Sequence, residues 1–303
     1  MQAIMPTKQG FQLQTVTKPT PADHEVLVKV HATTVTRGDV VLHSLPGIMY
    51  WSPVRALLGV PPKKTTPGHE FAGIVEAVGS RVTRFSSGEA VFGTTTGLVV
   101  GANAEYVCVP ESWASGAITH KPENLSFAQA AALPVGSMTA LYLLKKANAQ
   151  EAEKVLVYGA SGSVGSYGVQ LARHFGAEVT GVASTRNLEL LTSLGAQHTI
   201  DYKVDDFTQG TETYDVIFDA VGKADAKASQ RVLRQDGRFV SVSTITHESA
   251  EALEWLAGLA ASGEIKPLID RTYSLQQIPE AYDYVKSGRK SGNVVIQIIK
   301  EGA

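Results

Sequence analysis

The chain has 303 residues, 44% of them hydrophobic and 18% charged, with a formal net charge of −2; this is the make-up of a folded chain of about two domains, not of a disordered one. Lys and Arg number 27 against 29 Asp and Glu, and no basic stretch is long enough for a nucleic-acid footprint, so DNA and RNA binding are disfavoured. A single cysteine, Cys108, excludes an intramolecular disulfide framework and a four-cysteine zinc site. No apolar run approaches the roughly 18 residues of a membrane span, and the N-terminus MQAIMPTKQGF lacks a basic region followed by an apolar core, so the expectation is a cytoplasmic protein with no membrane partner.

From residue 1 to about 115, short β-like runs alternate with turn signals: VLVKVHATTV at 26–35, GIVEAVG at 73–79, EYVCVP at 105–110. They predict a small all-β barrel. The stretch 43–68 is broken by proline and glycine and reads as a long loop with one helical turn, a candidate lid or substrate wall. From about 120 helices and strands alternate, through the alanine-rich 126–147, VLVYG at 155–159, a helix, EVTGVAS at 178–184, a second helix, TIDY at 199–202, YDVIFDAVG at 214–222 and GRFVSVST at 237–244. Continuous apolar strands separated by helices predict a parallel sheet covered on both faces. The tail from about 268, ending in NVVIQII, is β-rich again. The expected α/β architecture is therefore a β-barrel domain, 1–118 and 268–303, with a doubly wound domain, 119–267, inserted into it.

Gly159, Gly162 and Gly165 follow the strand VLVY at three-residue spacing and open a helix, a variant of the dinucleotide fingerprint. Gly159, Ala160, Ser161, Gly162, Ser163, Val164 and Gly165 are thus candidate cofactor-binding residues, because a helix opening near Ser163 aims backbone N–H groups and the positive end of its dipole at a pyrophosphate. The alternative is a tight strand-to-helix turn with no ligand. About 20 residues beyond the glycines, an NAD site places an acid on the ribose hydroxyls. Here the chain reads Ala183-Ser184-Thr185-Arg186-Asn187. Hydroxyls and a guanidinium suit a 2′-phosphate that a carboxylate would repel, so Ser184, Thr185 and Arg186 favour NADPH; the alternative for Arg186 is a solvated charge at a helix start. Glu189 belongs to the helix that follows.

Several motifs occur in a familiar order. GHEFAGIVEAVGSRV at 68–82 resembles the signature GHExxGxxxxxGxxV, FSSGEAVFG at 85–93 resembles the turn and strand after it, GASGSVG at 159–165 is an AxxGxVG-like loop, VASTRNLELLTSLGAQHTIDY at 182–202 is close to a quinone-reductase-like pattern, and SGNVVIQI at 291–298 resembles a terminal strand. On these the chain resembles the medium-chain dehydrogenase/reductase superfamily, in its zinc-independent quinone oxidoreductase branch. The resemblance implies a GroES-like β-barrel catalytic domain, a Rossmann domain, an active-site cleft between them, hydride transfer with NADPH, and a homodimer formed through the Rossmann sheets. It also implies that Thr36 and Thr139 lie near the nicotinamide and its phosphates, and Tyr202 near the adenosine end. Val221, Gly222, Thr244, Ile245 and Asn293 are further cofactor candidates at strand ends, each with the alternative of an ordinary turn residue.

In the superfamily's alcohol dehydrogenases a catalytic zinc is held by a cysteine in a CxxD-like segment, by the histidine of GHE and by a later cysteine or acid. Here the first segment reads Thr36-Arg37-Gly38-Asp39, and the later one carries Val135 at the ligand position. A catalytic zinc takes three protein ligands, so no metal is expected. His69 then reads as a hydrogen-bonding barrel residue, with Glu70 the one neighbour that could rescue a weak site. An enone or quinone accepts hydride at a conjugated position and delocalises the charge itself, without the Lewis acid an alkoxide needs. Tyr50 is a candidate proton donor or substrate-orienting hydroxyl, the alternatives being an aromatic wall with Trp51, or solvent as the donor. Arg37 and Asp39 read as a structural pair, Cys108 as strand packing, and Lys63-Lys64 as a solvated loop tip. The expected activity is NADPH-dependent reduction of quinones or α,β-unsaturated carbonyl compounds; a zinc alcohol dehydrogenase and a non-catalytic NADPH-binding sensor are the alternatives.

Overall fold

A computed structural model describes residues 1–7, 10–44 and 65–299. The chain divides into two compact units, Met1–Val135 with Glu248–Ala261 and Ile269–Ala303, and Gly136–His247 with Ser262–Leu268. Residues 119–135 and 248–261, placed by sequence in the inserted domain, group with the β-rich unit.

In that first unit, β1 (Gln2–Thr7) and β2 (Gly10–Thr15) form an antiparallel pair. A larger sheet is built on β3 (Glu25–Val35), which pairs antiparallel with β4 (Glu70–Val78); β5 (Ala90–Thr94) follows β4, β6 (Tyr106–Pro110) pairs with β3, and β7 (Ile118–His120) pairs with β5. Alternation turns Val26, Val28 and Val30 of β3 into one core with Phe71, Val75, Val91, Val107, Val109 and Ile118. Each such side chain contributes about 1.5–3 kcal/mol on burial. Register shifts at Leu27/Val28 and Val30/Ala32 mark bulges. Bulges bend a strand, which helps one 11-residue strand meet several partners.

The second unit holds β8 (Lys154–Tyr158), β9 (Glu178–Ala183), β10 (His198–Asp201), β11 (Tyr214–Asp219) and β12 (Leu233–Ser241), all parallel, in the order β10-β9-β8-β11-β12. The helix Ser163–His174 joins β8 to β9, and Leu188–Ser193 lies between β9 and β10. Val155, Leu156, Val157, Val216, Ile217 and Phe218 are all fully buried, as strands shielded on both faces must be. Strand order reverses between β8 and β11. Open α/β sheets bind ligands at such a switch point, beyond the carboxyl ends of the strands.

The β-rich tail returns to the first sheet. β13 (Ile269–Ser274) runs parallel to β14 (Asn293–Gln297), which lies antiparallel to β3. The helix Ile278–Lys286 between them packs Ile278, Ala281, Tyr282 and Val285 against Ile4, Val35 and Ile296. Among the described residues, no helix is long and apolar enough to cross a membrane.

Candidate active site

The glycine turn sits at the switch point. Gly159 ends β8 with φ +76°, and a Cβ there would lie 2.0 Å from Cγ2 of Val221, the residue two beyond β11, so the turns after the two strands abut. Gly165 is forced by close approach: its Cβ would meet the Gly159 carbonyl oxygen at 2.2 Å. The N–H groups of Gly159 and Ala160 both donate to the Val182 carbonyl at 3.0 Å. They shape the turn and are committed there. Gly162 is the N-cap of the helix Ser163–His174 and supplies no side-chain cap. The first turn presents backbone N–H groups at that end of the helix, and the dipole makes it favourable for an anion. A Cβ on Gly136 would lie 2.5 Å from the Ser163 hydroxyl. Thr139, three residues on in the helix Pro134–Lys146, shares that face and is half-buried.

At the end of β9, Ser184 is buried, while Thr185 and Arg186 are exposed. Two residues missed by the sequence reading organise this corner. Asn187 donates through Nδ2 to the Ser161 hydroxyl at 3.0 Å and to Ser184 at 3.4 Å, tying the glycine turn to the end of β9. Asp201, the last residue of β10, accepts from the Thr185 hydroxyl at 2.5 Å and the Lys203 amide at 3.0 Å. These donors hold its carboxyl below the usual carboxylate range. The absence of an acid at the end of β9 is thus only part of the electrostatics, because β10 delivers one to Thr185. Tyr202 follows it and is 52% exposed.

The turn after β11 hangs on a second unexpected carboxylate. Asp219 is almost wholly buried; it accepts from the amides of Val221 and Gly222 at 3.0 and 2.9 Å, and from Ala224 N and Ser241 Oγ at 3.2 Å. Val221 is exposed, and Ile245 beyond β12 is 76% exposed, with Thr244 half-buried beside it. Val221, Gly222, Thr244 and Ile245 therefore share the carboxyl edge of the sheet with the glycine turn. Asn293 and Thr36 belong to the first unit, Asn293 buried at the start of β14.

Thr36 lies between β3 and the helix Arg37–Ser44. Its hydroxyl donates to Asp39 Oδ2 at 2.6 Å, its amide donates to the same oxygen at 2.8 Å, and the Asp39 amide returns a bond to the Thr36 hydroxyl at 3.0 Å. This is the reciprocal logic of a capping box. The other oxygen, Asp39 Oδ1, lies 2.5 Å from His69 Nδ1 and accepts from the Gly68 amide at 3.2 Å. Burial alone would push the Asp39 carboxyl up, but His69 and the Thr36 donors outweigh it and hold it below the usual range. The expected pairing of Arg37 with Asp39 is therefore corrected: Arg37 Nη1 donates to the Lys286 carbonyl at 3.4 Å.

Glu70 is fully buried; it accepts from the Thr34 hydroxyl and, at 2.7 Å, from the Val135 amide. Burial pushes its carboxyl up to about 8 against those donors, and the nearby Asp39 and Glu248 carboxylates add to the push. Both Glu70 oxygens, both Asp39 oxygens and His69 Nδ1 thus have hydrogen-bond partners. No group of three or more His, Cys, Asp and Glu side chains able to hold a metal occurs among the described residues, and the donor set at Thr36, His69, Glu70 and Val135 does not fit a catalytic zinc. Cys108 lies on β6, its thiol pushed up to about 12 by burial and by Glu25, which makes it a poor nucleophile. Tyr50, Trp51, Lys63 and Lys64 lie outside the described residues.

Family models for an alcohol dehydrogenase GroES-like domain and a zinc-binding dehydrogenase match residues 22–119 and 163–276. The chain is 36% identical over 257 residues to 2-methylene-furan-3-one reductase of Solanum lycopersicum, covering 78% of this chain and 65% of that protein. It is 32% identical over 254 residues to the chloroplastic NADPH-dependent alkenal/one oxidoreductase of Arabidopsis thaliana, covering 78% of this chain and 64% of that protein. It thus spans about two thirds of the length of these two relatives. Among solved structures, the quinone oxidoreductase from Coxiella burnetii superposes with a TM-score of 0.86 at 26% identity, over 98% of this chain and 99% of that one.

Proposed function

Because this chain belongs to the medium-chain dehydrogenase/reductase superfamily, in its quinone oxidoreductase-like branch, we propose that it is an NADPH-dependent reductase of quinones or α,β-unsaturated carbonyl compounds working without a catalytic zinc. The observation that carries this reading is the glycine turn, packed without room for side chains at Gly159 and Gly165 at the switch point of a parallel sheet. The names of the two plant relatives support the acceptor class.

Bound NADPH supplies the hydride. The first turn of the helix, Ser163, Val164 and Gly165, would hold the pyrophosphate, with Thr139 beside it and Gly162 leaving room for its approach. Ser184, Thr185 and Arg186 receive the 2′-phosphate, Arg186 as a charge-assisted donor and Thr185 oriented by Asp201. Tyr202 would meet the adenosine end, and Val221, Gly222, Thr244 and Ile245 would be further contacts for the cofactor. Thr36 would lie near the nicotinamide, and Asn293 is a further cofactor candidate. Zinc-free chemistry is supported by Thr36 and Val135 at two ligand positions and by carboxylates already engaged at Asp39 and Glu70. The reading extends to a cytoplasmic homodimer, supported by the lone cysteine and by the resemblance.

The test follows NADPH oxidation by purified protein with enones, enals and quinones, beside metal analysis of protein prepared without chelator. Oxidation with at least one acceptor and substoichiometric zinc are expected. Stoichiometric zinc contradicts the metal-free mechanism, and tight NADPH binding without oxidation points to a sensor.

A further inference from the structure

Reducing a carbon–carbon double bond requires a proton as well as a hydride, and the described residues contain a pair arranged to deliver it. We propose that His69 is the general acid that protonates the substrate's α-carbon, with Asp39 as its positioning residue; this assignment rests on the reductase reading above. Asp39 is fixed by three donors besides the ring, the Thr36 hydroxyl and amide and the Gly68 amide, while its own amide donates to the Thr36 hydroxyl. Its Oδ1 lies 2.5 Å from His69 Nδ1, so the neutral ring keeps its proton on Nδ1. Nε2 has no hydrogen-bond partner among the described residues. The side chain keeps 13% of its surface exposed, and Nε2 is not among the buried polar atoms left without a partner, so it can be reached from outside the fold. An acid that locks one ring nitrogen and leaves the other accessible is the arrangement by which histidines are oriented for proton transfer. Thr36, assigned to the nicotinamide end, shares the Asp39 carboxylate and so belongs to the same cluster.

The step balances. After hydride adds to the β-carbon of an enone, the enolate's electron pair forms a new C–H bond at the α-carbon with the proton on Nε2 of the imidazolium. The N–H electrons stay on the ring, leaving a neutral imidazole with Nδ1–H on Asp39, and water restores the proton at Nε2. A quinone differs, because its reduced form takes its proton on oxygen, where exchange with water is fast.

The test compares His69→Gln and Asp39→Asn with the parent, each given NADPH with an enone or a quinone. A positioned general acid contributes about 10²–10⁴-fold, so in His69→Gln the enone kcat falls about 100-fold further than the quinone kcat. In heavy water the parent places deuterium on one face of the α-carbon and His69→Gln places it on both. Independently of turnover, nitrogen NMR of the cofactor-free parent finds the neutral His69 ring protonated on Nδ1, and Asp39→Asn moves it toward Nε2. Parallel losses on the two acceptors, single-face deuteration in His69→Gln, or a parent ring protonated on Nε2 would each overturn the assignment alone. A parent inactive on both acceptors would overturn the reductase reading, and this assignment with it.

Discussion

The Thr185 hydroxyl donates to the Asp201 carboxylate at 2.5 Å, joining the residues that follow and end two neighbouring parallel strands. The proposed 2′-phosphate corner therefore holds a negative charge as well as Arg186, and the Thr185 proton is already engaged. Replacing Asp201 by Asn removes the charge and keeps an acceptor for Thr185. The preference for NADPH over NADH is expected to rise by about 3- to 10-fold, the roughly 1 kcal/mol of a partly screened charge pair, read by fluorescence titration with both nucleotides. An unchanged ratio would make Asp201 a purely structural strand-end residue.

Arg186 carries the attractive half of the same corner. Arg186→Ala is expected to lower the NADPH/NADH preference by tenfold or more, since hydrogen bonds to charged groups contribute about 1.5–3 kcal/mol. NADH affinity serves as the internal control. Equal losses for the two nucleotides would remove Arg186 from the 2′-phosphate.

The two glycines of the helix start separate fold from ligand. In Gly165→Ala the new methyl would sit 2.2 Å from the Gly159 carbonyl oxygen, whereas at Gly162 the same contact is 3.4 Å. Overpacking against backbone costs about 1–3 kcal/mol. Thermal or denaturant unfolding should show that loss in Gly165→Ala with weakened NADPH binding, and a much smaller loss of stability in Gly162→Ala. Equal stability in the two variants would contradict the close-packed turn.

What the sequence discloses follows from how far the interacting residues lie apart. Val155-Leu156-Val157 and Val216-Ile217-Phe218 announce a doubly covered sheet because no polar side chain can face either layer, and Gly159 and Gly165 announce the turn because nothing larger fits. Asp39 with His69, and Thr185 with Asp201, are separated by 30 and 16 residues, and only the folded β-sheets bring them together. The Arg37–Asp39 pairing misleads for a local reason: residues two apart on a helix point away from each other, and Asp39 turns back to cap its own helix while Arg37 reaches Lys286. Asp219 reads as a strand residue until the amides of Val221 and Gly222 show it holding the next turn.

Glu70 makes stability depend on pH in an unusual direction. Its carboxyl lies at about 8 in the folded chain against an ordinary 4.5, so between those values the folded state binds a proton that the unfolded state has lost. The stabilisation is complete below about 4.5 and declines as pH rises through about 8, at about 1.4 kcal/mol per pH unit inside the window. Glu70→Gln should flatten the fall in unfolding free energy between pH 5 and 8, within roughly a unit of either limit. A variant as pH-dependent as the parent would show that another group sets the slope.

Hydride transfer itself is read most directly from the product. With NADPH deuterated at the transferable position and an enone or enal as acceptor, deuterium should appear on the β-carbon of the saturated carbonyl product in proportion to the NADPH consumed. Saturated product without that label, or bound NADPH that no acceptor oxidises, would contradict the account.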